Sequence, residues 1–154
     1  MSPDQIFSIA NIVATLAWIL LAALPRRRWV ADVVTSVVVP ALLAVVYVAI
    51  VVTTFGSSPG GFSTLPAVAT LFSNPWPLLA GWIHYLAFDL FVGSWEVRDA
   101  RDRGVPHAFV LPCLALTFLF GPAGWLLYIA IRAAYLRSLL PAPIAATSSS
   151  AGRT

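Results

Sequence analysis

The sequence predicts an all-α integral membrane protein, a four-helix bundle with a short interfacial or re-entrant segment between its second and third spans. Three observations carry that prediction. Of 154 residues, 60% belong to the apolar set Ala, Val, Ile, Leu, Met, Phe, Trp, Tyr and Cys, where a similar set makes up roughly 45–50% of a soluble domain. Charged residues are 10% against the usual ~25%, and the mean hydropathy is +0.89; a soluble chain this short has too little interior to hide so much apolar side chain. Four stretches also reach the ~20 helical residues that cross a hydrocarbon core about 30 Å thick. Disorder of the whole chain is excluded, and one membrane domain over residues 1–140 is expected.

The elements follow in order. Residues 3–24 form the first span; no basic stretch precedes the apolar run, which continues to full spanning length, so a cleavable-signal layout is not expected. Residues 29–55 form the second, a run of Val, Ala, Leu and Ile that is a poor helix former in water but helical in lipid, where every backbone group must be satisfied internally. Pro40 is expected to kink it. Gly56-Ser57-Ser58-Pro59-Gly60-Gly61 is the strongest turn signal in the chain, and the apolar piece 64–72 after it is too short to cross. Spans at 75–97 and 106–130 follow, the last with a helical continuation toward Leu140. The Ala/Ser/Pro-rich tail at 141–154 is expected to be disordered.

The net charge is +3, from nine basic and six acidic residues. All nine cations are Arg, a usage typical of a GC-rich genome, which gives the expectation of a bacterial cytoplasmic membrane. Arg26-Arg27-Arg28 lies between two apolar stretches, where it suits lipid headgroups rather than a duplex backbone, so no nucleic-acid partner is expected. Arginines resist translocation. Those at 26–28 and at 98, 101 and 103 therefore place the first and third loops in the cytoplasm and both chain ends outside, an arrangement with which Arg132, Arg137 and Arg153 conflict. Cys113 is the only cysteine, so an intramolecular disulfide is impossible; mid-span, it reads as a small buried hydrophobe. Trp29, Trp76 and Trp125 read as interfacial anchors.

Chemistry concentrates in the third span. At about 100° per residue, taking Asp89 as zero, Trp82 falls near about +20°, Tyr85 about −40°, Glu96 about −20°, Asp99 about −80° and His84 about −140°. Asp89 sits some eight residues inside the span, and a carboxylate at that depth is costly unless paired, protonated or facing water. It is the first candidate catalytic residue; its structural alternative is a bond to Asn11 or Thr15 on the first span. Glu96 and Asp99 are further candidates, although they lie among Arg98, Arg101 and Arg103, where solvated ion pairs are ordinary. His84 has apolar neighbours. His107 opens the fourth span, and the short loop before it is expected to bring it near Glu96 and Asp99. Together, His84, His107, Asp89, Glu96 and Asp99 hold enough donors for a two-His, one-carboxylate iron face, though no spacing among them is diagnostic. Trp82, Tyr85 and Trp95 are candidates to flank a long apolar substrate. Asn11, Thr15 and Trp18 share one face of the first span, and Thr117, Gly121, Gly124, Tyr128 and Arg132 one face of the fourth, both read as packing faces. Gly121-Pro122-Ala123-Gly124 reads as a kink with close helix approach.

The set Trp82-Ile83-His84, Ala87, Asp89-Leu90-Phe91, Asp99, His107, Cys113-Leu114 and Pro122 with Gly124 resembles the plant neoxanthin synthase family, the abscisic-acid-deficient-four-like membrane proteins, over about residues 71–132. The resemblance implies a carotenoid or related polyene substrate reached from membrane lipid, and transfers Trp82, His84, Asp89, Asp99, His107 and Pro122 as shared positions. Glu96 has no counterpart in the plant pattern. Converting a 5,6-epoxide to an allene with a tertiary alcohol changes no oxidation level and needs no cofactor: one group protonates the epoxide oxygen and another accepts the vinylic proton. Asp89 or Glu96 is the expected acid, and His84 or His107 the expected base. The first span begins within a few residues of Met1, which speaks against import into a plastid and leaves open a different polyene reaction. One is oxidative cleavage to an apocarotenoid such as retinal, which would call on non-haem iron and O₂. A non-catalytic carotenoid-binding or accessory subunit is the rival class, and a homo-oligomer is compatible with the short chain.

Overall fold

The computed structural model describes residues 1–54 and 56–139; the expected tail at 141–154 lies outside them. Among the described residues every regular element is helical. Helix α1 spans Pro3–Ala23 and α2 Val30–Thr54; the short α3 covers Leu65–Phe72, α4 Pro75–Arg103, α5 His107–Phe120 and α6 Pro122–Leu139. Three of them, α1, α2 and α4, are long and apolar enough to cross a membrane.

Helix α1 starts at a capping box, in which the Ser2 side chain accepts from Gln5 N–H and the Gln5 side chain accepts from Ser2 N–H, so orphan amides at the first turn are satisfied. Its small side chains Ala10, Ala14 and Ala17 are buried while Ile9, Ile12, Leu16 and Ile19 face outward. That inside-out pattern is what lipid permits, because tails solvate Leu and Ile as well as a protein core does and close approach of helices needs small residues. Helix α2 likewise turns Val45, Val48 and Val52 outward.

The first part of α2, Val30–Val38, is wound as a π-helix before the α-helical part Val39–Thr54. Pro40 follows directly. In an α-helix its ring would strike the carbonyl four residues back, and the wider winding that precedes it makes room for that ring. The hydroxyl of Thr35 donates to Val30 O at 3.0 Å, five residues back, and its oxygen is bonded by the Ser94 hydroxyl of α4 at 2.7 Å.

Helix α4 is the axis of the molecule. Phe7 and Asn11 of α1 meet Trp82, and Trp18 meets Gly93, so α1 and α4 run parallel. Tyr47 meets His84, Thr35 meets Ser94 and Asp32 meets Arg101, so α2 runs antiparallel to it. Helix α3, of 8 residues, is only about 12 Å long and packs near the start of α4, with Phe72 against Gly81. It matches the short segment expected at 64–72.

The expected fourth span is where the sequence reading needs correction. Residues 106–130 are not one crossing helix: α5 ends at Phe120, and Gly121, with φ +46° and ψ −98°, reverses the chain. The bonds fix the direction. Phe118 meets Tyr85 and Gly121 meets Asp89, whereas Tyr128 and Arg132, further along the chain, return to Asp99 near the end of α4. Helices α5 and α6 therefore form a hairpin. The 14 residues of α5 reach about 21 Å, short of a 30 Å hydrocarbon core. Hydropathy counts apolar residues without recording their direction, so a re-entrant hairpin and a span read alike. The architecture is three long helices plus this hairpin, not a four-helix bundle.

Candidate functional site

Helix α4 positions every candidate of the third span. Asn74 caps it by accepting from Trp76 N–H at 3.1 Å, Pro75 occupies its first position, and Gly104 ends it in the left-handed region at φ 72° with Arg101 and Arg103 in the last turn. Pro at the start, Gly at the end and cations near the final carbonyls all favour this long helix. Around it the polar side chains separate into four places rather than one stripe.

The first is a notch at the tip of the hairpin. Asp89 is half-buried, its Oδ2 is buried without a protein hydrogen-bond partner, and its carboxylate lies over the Gly121 turn, where α6 begins. The positive end of a helix dipole favours an anion there. One turn earlier, the Tyr85 hydroxyl donates to Phe118 O at 2.9 Å. Trp82 packs between Tyr85, at 5.4 Å, and Phe7, at 5.6 Å between ring centroids, with both pairs of rings tilted. Its indole N–H donates to Asn11 Oδ1 at 3.2 Å. Asn11 thus holds Trp82 and not Asp89, and Thr15 is exposed. A row of aromatic rings runs from the outer surface, where Trp82 is 39% exposed, toward the half-buried carboxyl of Asp89.

The second place is on the α2 side of α4. The His84 ring stacks on Phe88 at 4.5 Å and meets Tyr47 at 5.8 Å. It lines an apolar cavity of about 360 Å³ among α2, α3 and α4, together with Val51, Thr54, Leu71 and Phe72. Asp89 and His84 hence address different faces of one helix.

Glu96 is the third. It is fully buried, accepts the Thr117 hydroxyl at 2.9 Å through Oε1, and leaves Oε2 without a partner. The fourth lies near the end of α4, where Asp99 accepts from Arg103 at 2.8 Å, Tyr128 at 2.7 Å and Arg132 at 2.7 Å. Trp95 packs edge-on against Tyr128 at 5.6 Å. His107 is close in sequence but points elsewhere: its Nε2 donates to Ala22 O at 2.9 Å, satisfying a carbonyl at the end of α1 that has no helical partner.

The five groups considered as iron ligands do not converge. Among the described residues no three His, Cys, Asp or Glu side chains are placed to hold a metal ion, so a two-His, one-carboxylate face is not assembled within this chain. Sequence reasoning missed the partners of Asp99. Tyr128 and Arg132 share a helix face by their spacing of four, but a straight fourth span would have carried them away from Asp99. The Arg101–Asp32 pair, 2.8 Å apart, was likewise unmarked, since each residue reads as an ordinary charge at a span end.

The family model ABA DEFICIENT 4-like matches residues 5–128. No curated protein and no solved structure matches the chain.

Proposed function

This chain belongs to the ABA DEFICIENT 4-like family, and from that premise we propose that it is a membrane-embedded enzyme that isomerises a carotenoid or related polyene by proton transfer. Family membership supports a carotenoid-related membrane protein. The observation that carries the catalytic part is Asp89: a carboxyl set well inside a spanning helix, half-accessible, beside the Tyr85 hydroxyl, with its buried Oδ2 lacking a hydrogen-bond partner. Such a group is costly to keep in lipid and is a functional candidate for that reason.

In the proposed reaction the substrate enters from lipid along the Phe7, Trp82 and Tyr85 rings, whose flat faces suit a conjugated chain. Protonated Asp89 donates to an epoxide oxygen, the carbon–oxygen bond breaks, and a base accepts a vinylic proton as the allene and tertiary alcohol form. Substrate and product have the same composition. Once it has given up its proton, the same Asp89 carboxylate is the base on that face, while His84, across the helix, lines an apolar cavity that would hold a more distant part of the polyene. Glu96, enclosed by α4 and the hairpin, and Asp99, held by three donors, have less freedom to exchange protons with a substrate. Oxidative cleavage on iron draws no support from the separated ligands.

Pigment profiles of carotenoid-producing cells test this. Cells carrying the chain are expected to gain a pigment of unchanged mass, with Asp89→Asn lowering its yield at least 100-fold, within the range that a general acid contributes, and His84→Ala lowering it less. A shorter aldehyde would replace isomerisation with cleavage. An unchanged profile with well-expressed protein would sink the enzyme reading in favour of a carotenoid-binding subunit.

A further inference from the structure

A cavity of about 780 Å³ opens where the α1–α2 connection meets the last turns of α4, and Arg26, Arg27, Arg28, Arg101 and His107 line it. Its floor is apolar, formed in part by Val97 and Val105. Two observations separate it from an ordinary fringe of arginines at a membrane surface. Among the described residues, no acidic side chain is paired with Arg26, Arg27 or Arg28. Arg101 is held in place by one nitrogen, Nη2 at 2.8 Å from Asp32, while its Nε and Nη1 are buried without a hydrogen-bond partner. The exposed Asp102 carboxylate forms an ion pair with Nε at 3.6 Å, too long for a hydrogen bond.

The Arg101 side chain is 24% exposed, and a guanidinium so largely covered, with Nη1 unpartnered and Nε held only by a long ion pair, is costly in these nitrogens. An anion with several oxygens in the cavity would satisfy them, and the three loop arginines would close over it. We propose that this cavity binds a phosphate group. Guanidinium forks match phosphate oxygens in pairs, and a tetrahedral phosphate can accept from several arginines at once, which a flat carboxylate with two oxygens cannot. Its position favours the same ligand: it lies at the ends of α1 and α4, where the phosphates of a bilayer lie, and basic pockets between spanning helices on the arginine-rich side accept phospholipid headgroups. The site is independent of the polyene chemistry at Asp89.

The test uses the full chain in detergent and in nanodiscs, with native mass spectrometry and thermal unfolding as readouts. The probes are phosphatidylglycerol, phosphatidylcholine and inorganic pyrophosphate. Saturable binding of phosphatidylglycerol is expected, at least tenfold tighter than phosphatidylcholine. The double substitution Arg27→Gln with Arg28→Gln, in side chains that hold no protein partner, is expected to weaken it tenfold or more without lowering the unfolding temperature of the lipid-free protein. Arg101→Gln is expected to weaken it further, with some loss of stability because Asp32 loses its partner. Competition by pyrophosphate would identify the phosphate as the determinant. Binding of pyrophosphate without binding of phosphatidylglycerol would assign the site to a soluble phosphate compound. If neither probe binds saturably, or if both bind the double variant as they bind the original chain, the proposal fails.

Discussion

A side chain at position 121 has no room. A Cβ there would sit 3.0 Å from Asp89 Oδ1, on a backbone with φ +46°, a conformation that costs a non-glycine residue about 1–3 kcal/mol. Gly121→Ala is expected to lower stability by about that amount in a denaturant titration in detergent, and to lower pigment conversion as well, because the methyl group displaces the Asp89 carboxylate. Gly124 is as constrained for another reason: a Cβ there would run into the backbone N and the hydroxyl of Thr117, so the hairpin closes only around glycine. Glu96 poses the opposite problem, a polar group with too few partners. Glu96→Gln keeps the acceptor for Thr117 and is expected to hold stability within about 1 kcal/mol. Glu96→Ala strands that hydroxyl and leaves a void, at about 2–5 kcal/mol. Equal losses in the two variants would mean that the carboxylate charge, rather than the shape and the hydrogen bond, is what the core requires.

The hairpin of α5 and α6 is the element that organises the site, and Asp99 fastens it. Its carboxylate is 11% exposed and joins α6 to α4 through Tyr128 and Arg132, whereas Arg103 lies on its own helix and is more open. Asp99→Asn removes the charge from both cross-helix bonds and is expected to cost about 1–3 kcal/mol. Hydrogen exchange locates the effect: α6 should exchange faster while α1 and α2 keep their protection, and Arg103→Gln should leave α6 unchanged. Uniform acceleration over all helices would deny α6 a separate attachment. The element scale is also where the sequence was least legible. Spans α1, α2 and α4 could be read from hydropathy because burial in lipid demands length and little else. The row Trp82, Tyr85 and Asp89 was visible as a helix face. Gly121-Pro122 was visible as a break, but a kink and a full reversal use the same residues; the choice between them is made by the fit of Gly124 on Thr117 and by the pull of Asp99, contacts between positions far apart in the chain. His107 was expected beside Glu96 and Asp99, and it turned to α1 because the carbonyl of Ala22 needed a donor.

At the scale of the whole molecule the reversal at Gly121 resolves the conflict among the arginines. With a straight fourth span, Arg132 and Arg137 would lie across the membrane from the residues at 26–28 and from 98, 101 and 103. With the hairpin, Arg132 bonds Asp99 on the same side as Arg101 and Arg103, and α6 continues in that direction to Arg137. Every arginine of the described residues then lies toward one end of the molecule, while α1 begins at the other, as the positive-inside rule requires. Three crossings, by α1, α2 and α4, are the topology expected from this, with Ser2 and Arg137 facing opposite solutions. Because Cys113 is the only cysteine, this can be measured directly. In a Cys113→Ala background, Ser2→Cys and Arg137→Cys are placed singly in sealed vesicles and challenged with an impermeant thiol reagent before and after permeabilisation. One position is expected to react in intact vesicles and the other only after they are opened, with Arg27→Cys following Arg137→Cys. Reaction of positions 2 and 137 from the same side would restore a fourth crossing; since α5 alone is too short for one, the hairpin would then have to straighten at Gly121 and break its bonds to Asp99.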